Sequence, residues 1–238
     1  MGNIKNKRIN SAAGLAVAAL LILLFPLQAA PFPSQSDEIG RVKTAIEVFN
    51  DIVKIPEEGL PEVLLKKAGA IAIIPGVIKA AYGIGGQYGK GIILVKNRGS
   101  WSNPCFIRLA GGSIGWQIGV QKTDVVLVFK SRKSVKNIEE GKITLGADIS
   151  VTAGPVGRRA EASTDLELEA EIYSYSKSKG LFAGVSIKGA SISIDHDANE
   201  EFYDRRRIDP EDILSSGSLD APSVARELRR ILTRYIDK

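Results

Sequence analysis

Two glycine-rich stretches decide the fold: YGIGGQYGKGIILV at residues 82–95 and GGSIGWQIGV at residues 111–120. Ten of the 24 glycines in this 238-residue chain lie between Gly83 and Gly119, where strand-forming apolar residues separate them. Glycine within a strand costs conformational entropy and usually marks a bulge, a sharp bend or the close approach of another backbone. The two stretches therefore predict a strongly curved or tightly packed sheet.

The segments around these stretches predict more strands than helices. Short apolar or alternating runs, many of them separated by hairpin-sized turns, lie at residues 71–74, 124–129, 172–176 and 181–187. The run at 124–129 is expected to be a central strand buried on both faces, whereas Pro75-Gly76 is expected to end the first strand. We predict an α+β fold with a mostly antiparallel, glycine-rich, curved β-sheet core and a few flanking helices.

Residues 1–30 have the pattern of a secretory signal peptide. Three basic residues precede an apolar run at residues 12–25, and small residues follow it. This run is shorter than the roughly 20 apolar residues of a membrane-spanning helix, although an uncleaved signal anchor is an alternative. We expect the protein to be periplasmic or otherwise exported.

The charge of the chain does not indicate nucleic-acid binding. The formal net charge is +5, but without residues 1–30 the chain has 29 basic and 27 acidic side chains, a net charge of +2. A nucleic-acid-binding domain would need basic residues clustered on one face. The single cysteine, Cys105, excludes an intramolecular disulfide, and its strand-like neighbours favour a small buried hydrophobe over a reactive thiol.

Residues 37–54 have the spacing of an amphipathic helix, with Ile39, Val42, Ile46 and Phe49 recurring every three or four residues. This apolar stripe has two interpretations. It packs on the core of the domain, or it inserts into the surface of a bilayer.

The C-terminal region, residues 204–238, is predicted to form a basic tail that is separate from a domain at residues 37–203. Its apolar residues share one helical face while arginines occupy the rest of the wheel, which is the pattern of a basic amphipathic helix. The apolar face comprises Val224, Leu228, Ile231, Leu232 and Tyr235, and the arginines are Arg226, Arg229, Arg230 and Arg234. Such a helix could dock on a protein partner.

No motif in the sequence supports catalysis. Residues 111–115 match the G-x-S-x-G pattern of a serine hydrolase, but a strand-like segment follows where that motif needs a helix. His196, the only histidine, would have to serve Ser113 as its base. Residues 83–89 miss the third glycine of a nucleotide-binding loop, because Tyr88 stands in its place. We therefore expect no enzymatic activity and no cofactor.

Asp195-His-Asp197 is the one segment that suggests a metal site. A single histidine without a cysteine cluster or EF-hand spacing makes such a site improbable, and a solvated turn is the better interpretation. We expect no bound metal.

Many short blocks, in one order, resemble the SYLF domain family. They are PEEGLP (56–61), IAIIPG (71–76), GIGGQYGKG (83–91), WSNP (101–104), GGSIGWQIG (111–119), TDVVLV (123–128), LGAD (145–148), AGPVGR (153–158), IYSYS (172–176) and GLFAGVS (180–186). The resemblance extends from about Ile55 to Tyr203, and the basic tail lies outside it. It implies binding to membrane lipids.

The resemblance distinguishes two kinds of SYLF protein. Eukaryotic members look like phosphoinositide- and actin-associated modules that act with SH3 domains, whereas bacterial members carry export signals and are connected with phospholipids. The predicted signal peptide and the lack of an SH3-like segment make this chain look like the bacterial type. We expect an actin role not to carry over to an exported bacterial protein.

We predict an exported, non-catalytic phospholipid-binding protein that associates peripherally with anionic membranes. Four lysines in or beside the matched blocks are the candidate lipid contacts, namely Lys66, Lys67, Lys79 and Lys90, and the stripe of Ile39, Val42, Ile46 and Phe49 could supply apolar insertion. The alternative for the lysines is an ordinary solvated surface. The alternative function is a cell-envelope structural or partner-binding protein, and an envelope hydrolase ranks third.

Overall fold

The computed structural model of the protein describes residues 34–55, 60–155, 170–178, 181–184, 187–215 and 219–236. The predicted signal peptide at residues 1–30 lies outside these ranges. None of the helices within them is both long enough and apolar enough to cross a membrane.

Six helices and eight strands make up the described part of the chain. The helices are α1 (Gln35–Val53), α2 (Glu62–Lys67), α3 (Lys133–Glu139), α4 (His196–Tyr203), α5 (Pro210–Ser215) and α6 (Ser223–Ile236). The strands are β1 (Ala70–Asn97), β2 (Ser100–Trp101), β3 (Cys105–Phe129), β4 (Lys142–Thr144), β5 (Val151–Ala153), β6 (Ile172–Ser178), β7 (Leu181–Gly184) and β8 (Ala190–Ile194). With 28 and 25 residues, β1 and β3 are far longer than the others.

The long strands β1 and β3 form the centre of one sheet. They pair antiparallel from Ala70 opposite Phe129 to Ile93 opposite Cys105. The main strand order is β2-β1-β3-β6-β5, while β8 joins β3 to β4 and β7 extends β6. Among the named strands only the β5–β6 pair is parallel. The prediction of an α+β fold with a mostly antiparallel sheet is confirmed.

Strand β1 curls back on itself, and glycine permits the close approach. At one end, the backbone N–H of Lys96 donates to the carbonyl oxygen of Gly69 at 2.8 Å, so the two ends of β1 are neighbours. A Cβ atom added at Gly89 would lie 2.8 Å from a methyl carbon of Val77. The chain therefore reverses between residues 77 and 89. We call residues 78–88, with the paired residues 110–122 of β3, the bend.

Pro75-Gly76 does not end the first strand as the sequence suggested. The register between β1 and β3 shifts between Ile74 and Val77, and the strand then continues. Gly76 has a φ of 58°, a left-handed conformation that glycine adopts without a steric penalty. Its N–H donates to a carboxylate oxygen of Asp124 at 2.8 Å, so the side chain of Asp124 satisfies a donor at the irregularity. The pair is thus a β-bulge, not a stop.

The curled sheet has a buried apolar layer on each face because successive side chains of a strand point to opposite sides. Ile71 and Ile73 belong to the layer covered by α1, α2, α4 and α6, whereas Ala72 and Ile74 belong to the layer covered by α3 and α5. Residues 125–129 are at most 2% exposed and pair with β1 and β6 on their two edges. The prediction of a central, doubly buried strand there is confirmed.

Helix α6 packs into the same core as α1, although the sequence suggested a separate tail. Val224, Leu228 and Leu232 are buried, and the rings of Phe49 and Tyr235 meet edge to face with centroids 5.6 Å apart. The chain from Pro33 to Lys238 forms one compact unit. Among the described residues, α6 therefore shares one core cluster with α1, α2 and α4.

Candidate functional site

The four apolar residues proposed for membrane insertion are packed against the core. Val42 and Phe49 are fully buried, Ile46 is 8% exposed, and Ile39 is partly buried against the same cluster. Of the two interpretations of α1, core packing is the one that the structure adopts. Insertion of this stripe would require α1 to leave the sheet.

The four candidate lysines do not lie together. Lys66 and Lys67 are exposed on α2, where Lys66 forms an ion pair with Glu62 at 3.8 Å. Lys79 lies in the bend, opposite Gln121. Lys90 lies further along β1 and approaches a carboxylate oxygen of Asp195 at 4.0 Å. The lysines therefore belong to three separate regions of the molecule.

Lys90 belongs to a network of charges between α1, the sheet and α4. Asp195 is its centre, 1% exposed, with Arg108 at 2.5 Å and Arg41 at 3.7 Å. Arg41 also pairs with the fully buried Glu38 at 2.9 Å. We call these residues, with Asp197, which lies 3.1 Å from Arg108, the charge network.

Burial and pairing both affect the protonation of the charge network. Burial of the Glu38 carboxyl raises its pKa above the ordinary value, while the neighbouring Arg41 opposes this shift. The hydrogen bond from Arg108 to Asp195 raises the pKa of Arg108 above its ordinary value. Arg41 also lies over the ring of Phe106, 5.3 Å from its centroid. Three cations and three carboxylates thus connect four elements, and Lys90 lies at the edge of this network with 38% of its side chain exposed.

Asp195 is a helix N-cap, which corrects the expectation of a solvated turn at this position. Its carboxylate accepts a hydrogen bond from the backbone N–H of Ala198 at 3.3 Å, at the start of α4. Its neighbours His196 and Asp197 are exposed. Within the described ranges, no group of three or more histidine, cysteine or acidic residues is arranged to hold a metal ion.

The residues of the possible hydrolase motif lie within a strand. Ser113 pairs with Gly85 in the middle of β3, so the strand-turn-helix geometry of a serine nucleophile is absent from this described segment. Cys105 is fully buried, and this burial raises the pKa of its thiol. Cys105 is therefore a packed core residue, as expected.

The bend carries exposed apolar side chains that the sequence did not single out. Val120 and Leu181 are each 78% exposed and Ile78 is 49% exposed. Ile78 lies opposite Lys122, and Val120 belongs to the second residue pair beyond them. Leu181 pairs with Ser178, whose hydroxyl donates to the carbonyl oxygen of Lys122 at 3.3 Å. Ile78, Lys122 and Val120 lie on one face of the β1–β3 ladder, because Ile78 and Lys122 are paired and Val120 is two residues from Lys122. We call these three residues the bend patch.

The bend patch also carries positive charge. No residue in the described part of the chain forms an ion pair with Lys79 or Lys122. Two carboxylates at this end of the sheet are engaged elsewhere, because Asp124 accepts from Gly76 and Asp51 pairs with Lys177 at 2.6 Å. The bend patch thus combines exposed aliphatic surface with available positive charge.

These features define the class of the protein as an α+β domain built on a curled, mostly antiparallel sheet. A family model, Ysc84, described as "Las17-binding protein actin regulator", matches residues 110–235. That match includes α6, which we had placed outside the family's domain.

Relatives of known description agree with this match. The chain is 38% identical over 202 residues to Protein YSC84 of Saccharomyces cerevisiae, covering 81% of this chain and 42% of the relative. It is 34% identical over 215 residues to SH3 domain-containing YSC84-like protein 1 of Xenopus laevis, covering 87% of this chain and 63% of the relative. The chain therefore belongs to the Ysc84 family of SYLF-domain proteins. It spans less than two thirds of the length of either relative.

Proposed function

We propose that this protein is an exported, non-catalytic phospholipid-binding protein that associates peripherally with anionic membranes through the bend patch. One observation carries the proposal: Val120 is 78% exposed and Ile78 is 49% exposed on the same face as Lys122, which has no ion-pair partner among the described residues. Exposed aliphatic side chains next to cations match the boundary between acyl chains and anionic head groups.

The expected strength of this contact is modest, as peripheral binding requires. Lys122 would contribute about 1 kcal/mol near an anionic surface. Complete transfer of an exposed aliphatic side chain such as Val120 from water would add about 1.5–3 kcal/mol, and partial insertion less. Because salt screens the charges but not the apolar contact, high salt should weaken the binding without abolishing it.

The predicted signal peptide and the resemblance to bacterial SYLF proteins support the localisation in this proposal. Export places the bend patch in a compartment bounded by phospholipid membranes. The periplasmic or otherwise exported location is therefore part of the proposal, and fractionation of cells that express the full chain tests it directly.

Co-sedimentation with vesicles tests the membrane contact. The purified protein is mixed with neutral phosphatidylcholine vesicles and with vesicles that also contain phosphatidylglycerol, at low and at high salt. We expect preferential binding to the anionic vesicles, and loss of that binding in the variant Val120→Ser/Lys122→Glu. Lys142→Glu, an exposed charge reversal on β4, is the matched control and should bind normally. Equal binding by the patch variant and the control would refute the bend patch as the contact.

The alternative is a partner-binding protein, and the comparisons favour it specifically. The family description names Las17 binding and actin regulation, and a second yeast relative is called LAS seventeen-binding protein 3. Co-sedimentation with purified actin filaments tests whether that property extends to this chain. Binding to filaments together with no binding to vesicles of either charge would favour the alternative over the membrane proposal.

A further inference from the structure

Helix α6 has one face that is already occupied by its own domain. Val224, Ala225, Leu228 and Leu232 are at most 4% exposed, in the core cluster shared with α1 and α2. The apolar face that the sequence offered for docking is therefore not available. Any partner of α6 must contact its outer face.

The outer face of α6 carries a row of arginines. Arg226, Arg230 and Arg234 are exposed and follow each other at four-residue intervals, so they lie on one side of the helix. At 1.5 Å per residue, the row extends about 12 Å along the helix axis. We call these three residues the arginine row.

The arginine row has little internal compensation. In the described part of the chain, none of its members forms an ion pair, and Arg226 donates only to the carbonyl oxygen of Ala221 at 3.2 Å. Glu227 is the one acidic residue of α6. The neighbouring α2 adds the exposed Lys66 and Lys67, of which Lys66 pairs with Glu62. The surface of α2 and α6 is thus predominantly positive.

We infer that the arginine row is a docking surface for an acidic segment of a protein partner, with carboxylates spaced one helical turn apart. The planar guanidinium group donates two parallel hydrogen bonds to a carboxylate, which favours a partner with acidic residues in a matching row. None of the described residues of α6, 223–235, is an exposed large apolar side chain, so they offer a bilayer no insertion. This inference rests on the partner-binding function proposed above as the alternative.

The arginine row and the bend patch lie on different elements of the fold. Helix α6 contacts β2 and α2, next to the place where the two ends of β1 meet. The bend is the part of β1 furthest along the strand from both of its ends. Variants of one surface should therefore leave the other intact, and the two functions can be tested separately.

Fluorescence anisotropy with a labelled helical peptide tests the inference. The peptide carries glutamate at three positions four residues apart, and a scrambled peptide of the same composition is the first control. We expect the purified full chain to prefer the ordered peptide. The variant Arg226→Gln/Arg230→Gln/Arg234→Gln should lose at least about tenfold in affinity, the effect of roughly one strong charged contact. Replacing the same three residues by lysine should restore only part of the loss.

A charge-matched control isolates the position of the row from the total charge. Lys133→Gln/Lys136→Gln/Lys142→Gln also removes three exposed positive charges, from α3 and β4, and should bind the peptide normally. Circular dichroism confirms that each variant is folded. Equal loss in both triple variants, no preference for the ordered peptide, or no binding by the unmodified chain would overturn the inference. The inference would also be overturned if the arginine variant lost vesicle binding but kept its peptide binding. If only the bend-patch proposal is wrong, the failure appears in the vesicle assay and not in the peptide assay.

Discussion

Removal of the Asp195 carboxylate should lower the stability of the fold strongly for so small a group. Its buried carboxylate caps α4 and contacts Arg108, Arg41 and Lys90, so one group connects α1, β1, β3 and α4. The informative pair of variants is Asp195→Ala, which removes both roles, and Asp195→Asn, which keeps an oxygen for the cap and removes the charge. Asp197→Asn is the matched control, because Asp197 pairs with the same arginine but is 78% exposed.

The size of the effect follows from the surroundings of each contact. Loss of the helix cap costs about 1 kcal/mol. Breaking a fully buried ion pair costs about 3–5 kcal/mol, but Arg108 and Lys90 are more than a third exposed and can turn towards water, while Arg41 keeps Glu38. We therefore expect roughly 2 kcal/mol for the charge, in total about 3 kcal/mol for Asp195→Ala and about 2 kcal/mol for Asp195→Asn. The exposed control should cost less than about 1 kcal/mol.

Urea denaturation followed by circular dichroism measures these differences. A loss of about 3 kcal/mol should also lower the melting temperature by roughly 6–12 °C in a domain of this size. Added salt should reduce the deficit of Asp197→Asn more than that of Asp195→Asn, because salt screens exposed pairs more strongly than buried ones. If Asp195→Ala were as stable as Asp197→Asn, the charge network would not hold the helices to the sheet, and the reasoning would be wrong.

Three further predictions concern pH, close packing and a buried hydroxyl. Because burial raises the pKa of the Glu38 carboxyl in the folded state, Glu38 contributes most to stability below its unfolded pKa near 4.5, and this contribution declines as the pH rises through the folded pKa. The free energy of unfolding of the unmodified chain should thus fall relative to that of Glu38→Gln above about pH 4.5. A difference between the two that stays constant with pH would contradict this. Gly91→Ala should destabilise the fold by about 1–3 kcal/mol and lower the melting temperature accordingly. The reason is that the added Cβ atom would lie 2.8 Å from a backbone Cα of the facing limb of β1. Gly112→Ala is the control and should be nearly neutral, because its Cβ atom would have no atom within 4 Å. Tyr203→Phe should cost about 1 kcal/mol in urea denaturation by removing the hydrogen bond that its hydroxyl donates to the carbonyl oxygen of Pro104 at 2.6 Å; unchanged stability would argue against that bond.

The curvature of the sheet could be predicted from the sequence because its cause is local. Gly89 and Gly91 leave room for the facing limb of β1, and a glycine-rich strand has few other uses. The effect of Pro75-Gly76 could not be predicted in the same way. A proline-glycine pair ends most strands, and its role as a bulge depends on Asp124, a residue 48 positions away.

The positions of the candidate binding surfaces could be predicted less well from the sequence. Helices α1 and α6 both have an amphipathic pattern, and the pattern is the same whether the apolar face meets a sheet, a bilayer or a partner. Only the structure shows that both faces are used within the domain. Conversely, Ile78 and Val120 have the alternation of ordinary strand residues, and their exposure arises because the sheet curls and leaves the bend uncovered by the helices.

The contact between Phe49 and Tyr235 also has a consequence for the order of folding. These rings come from α1 and α6, which lie at the two ends of the described chain and complete one core together. Contacts between residues so distant in sequence form late and slow the folding reaction. The helical layer on the sheet cannot close until α6 has been synthesised. A partly made chain therefore leaves an apolar face that a chaperone can bind.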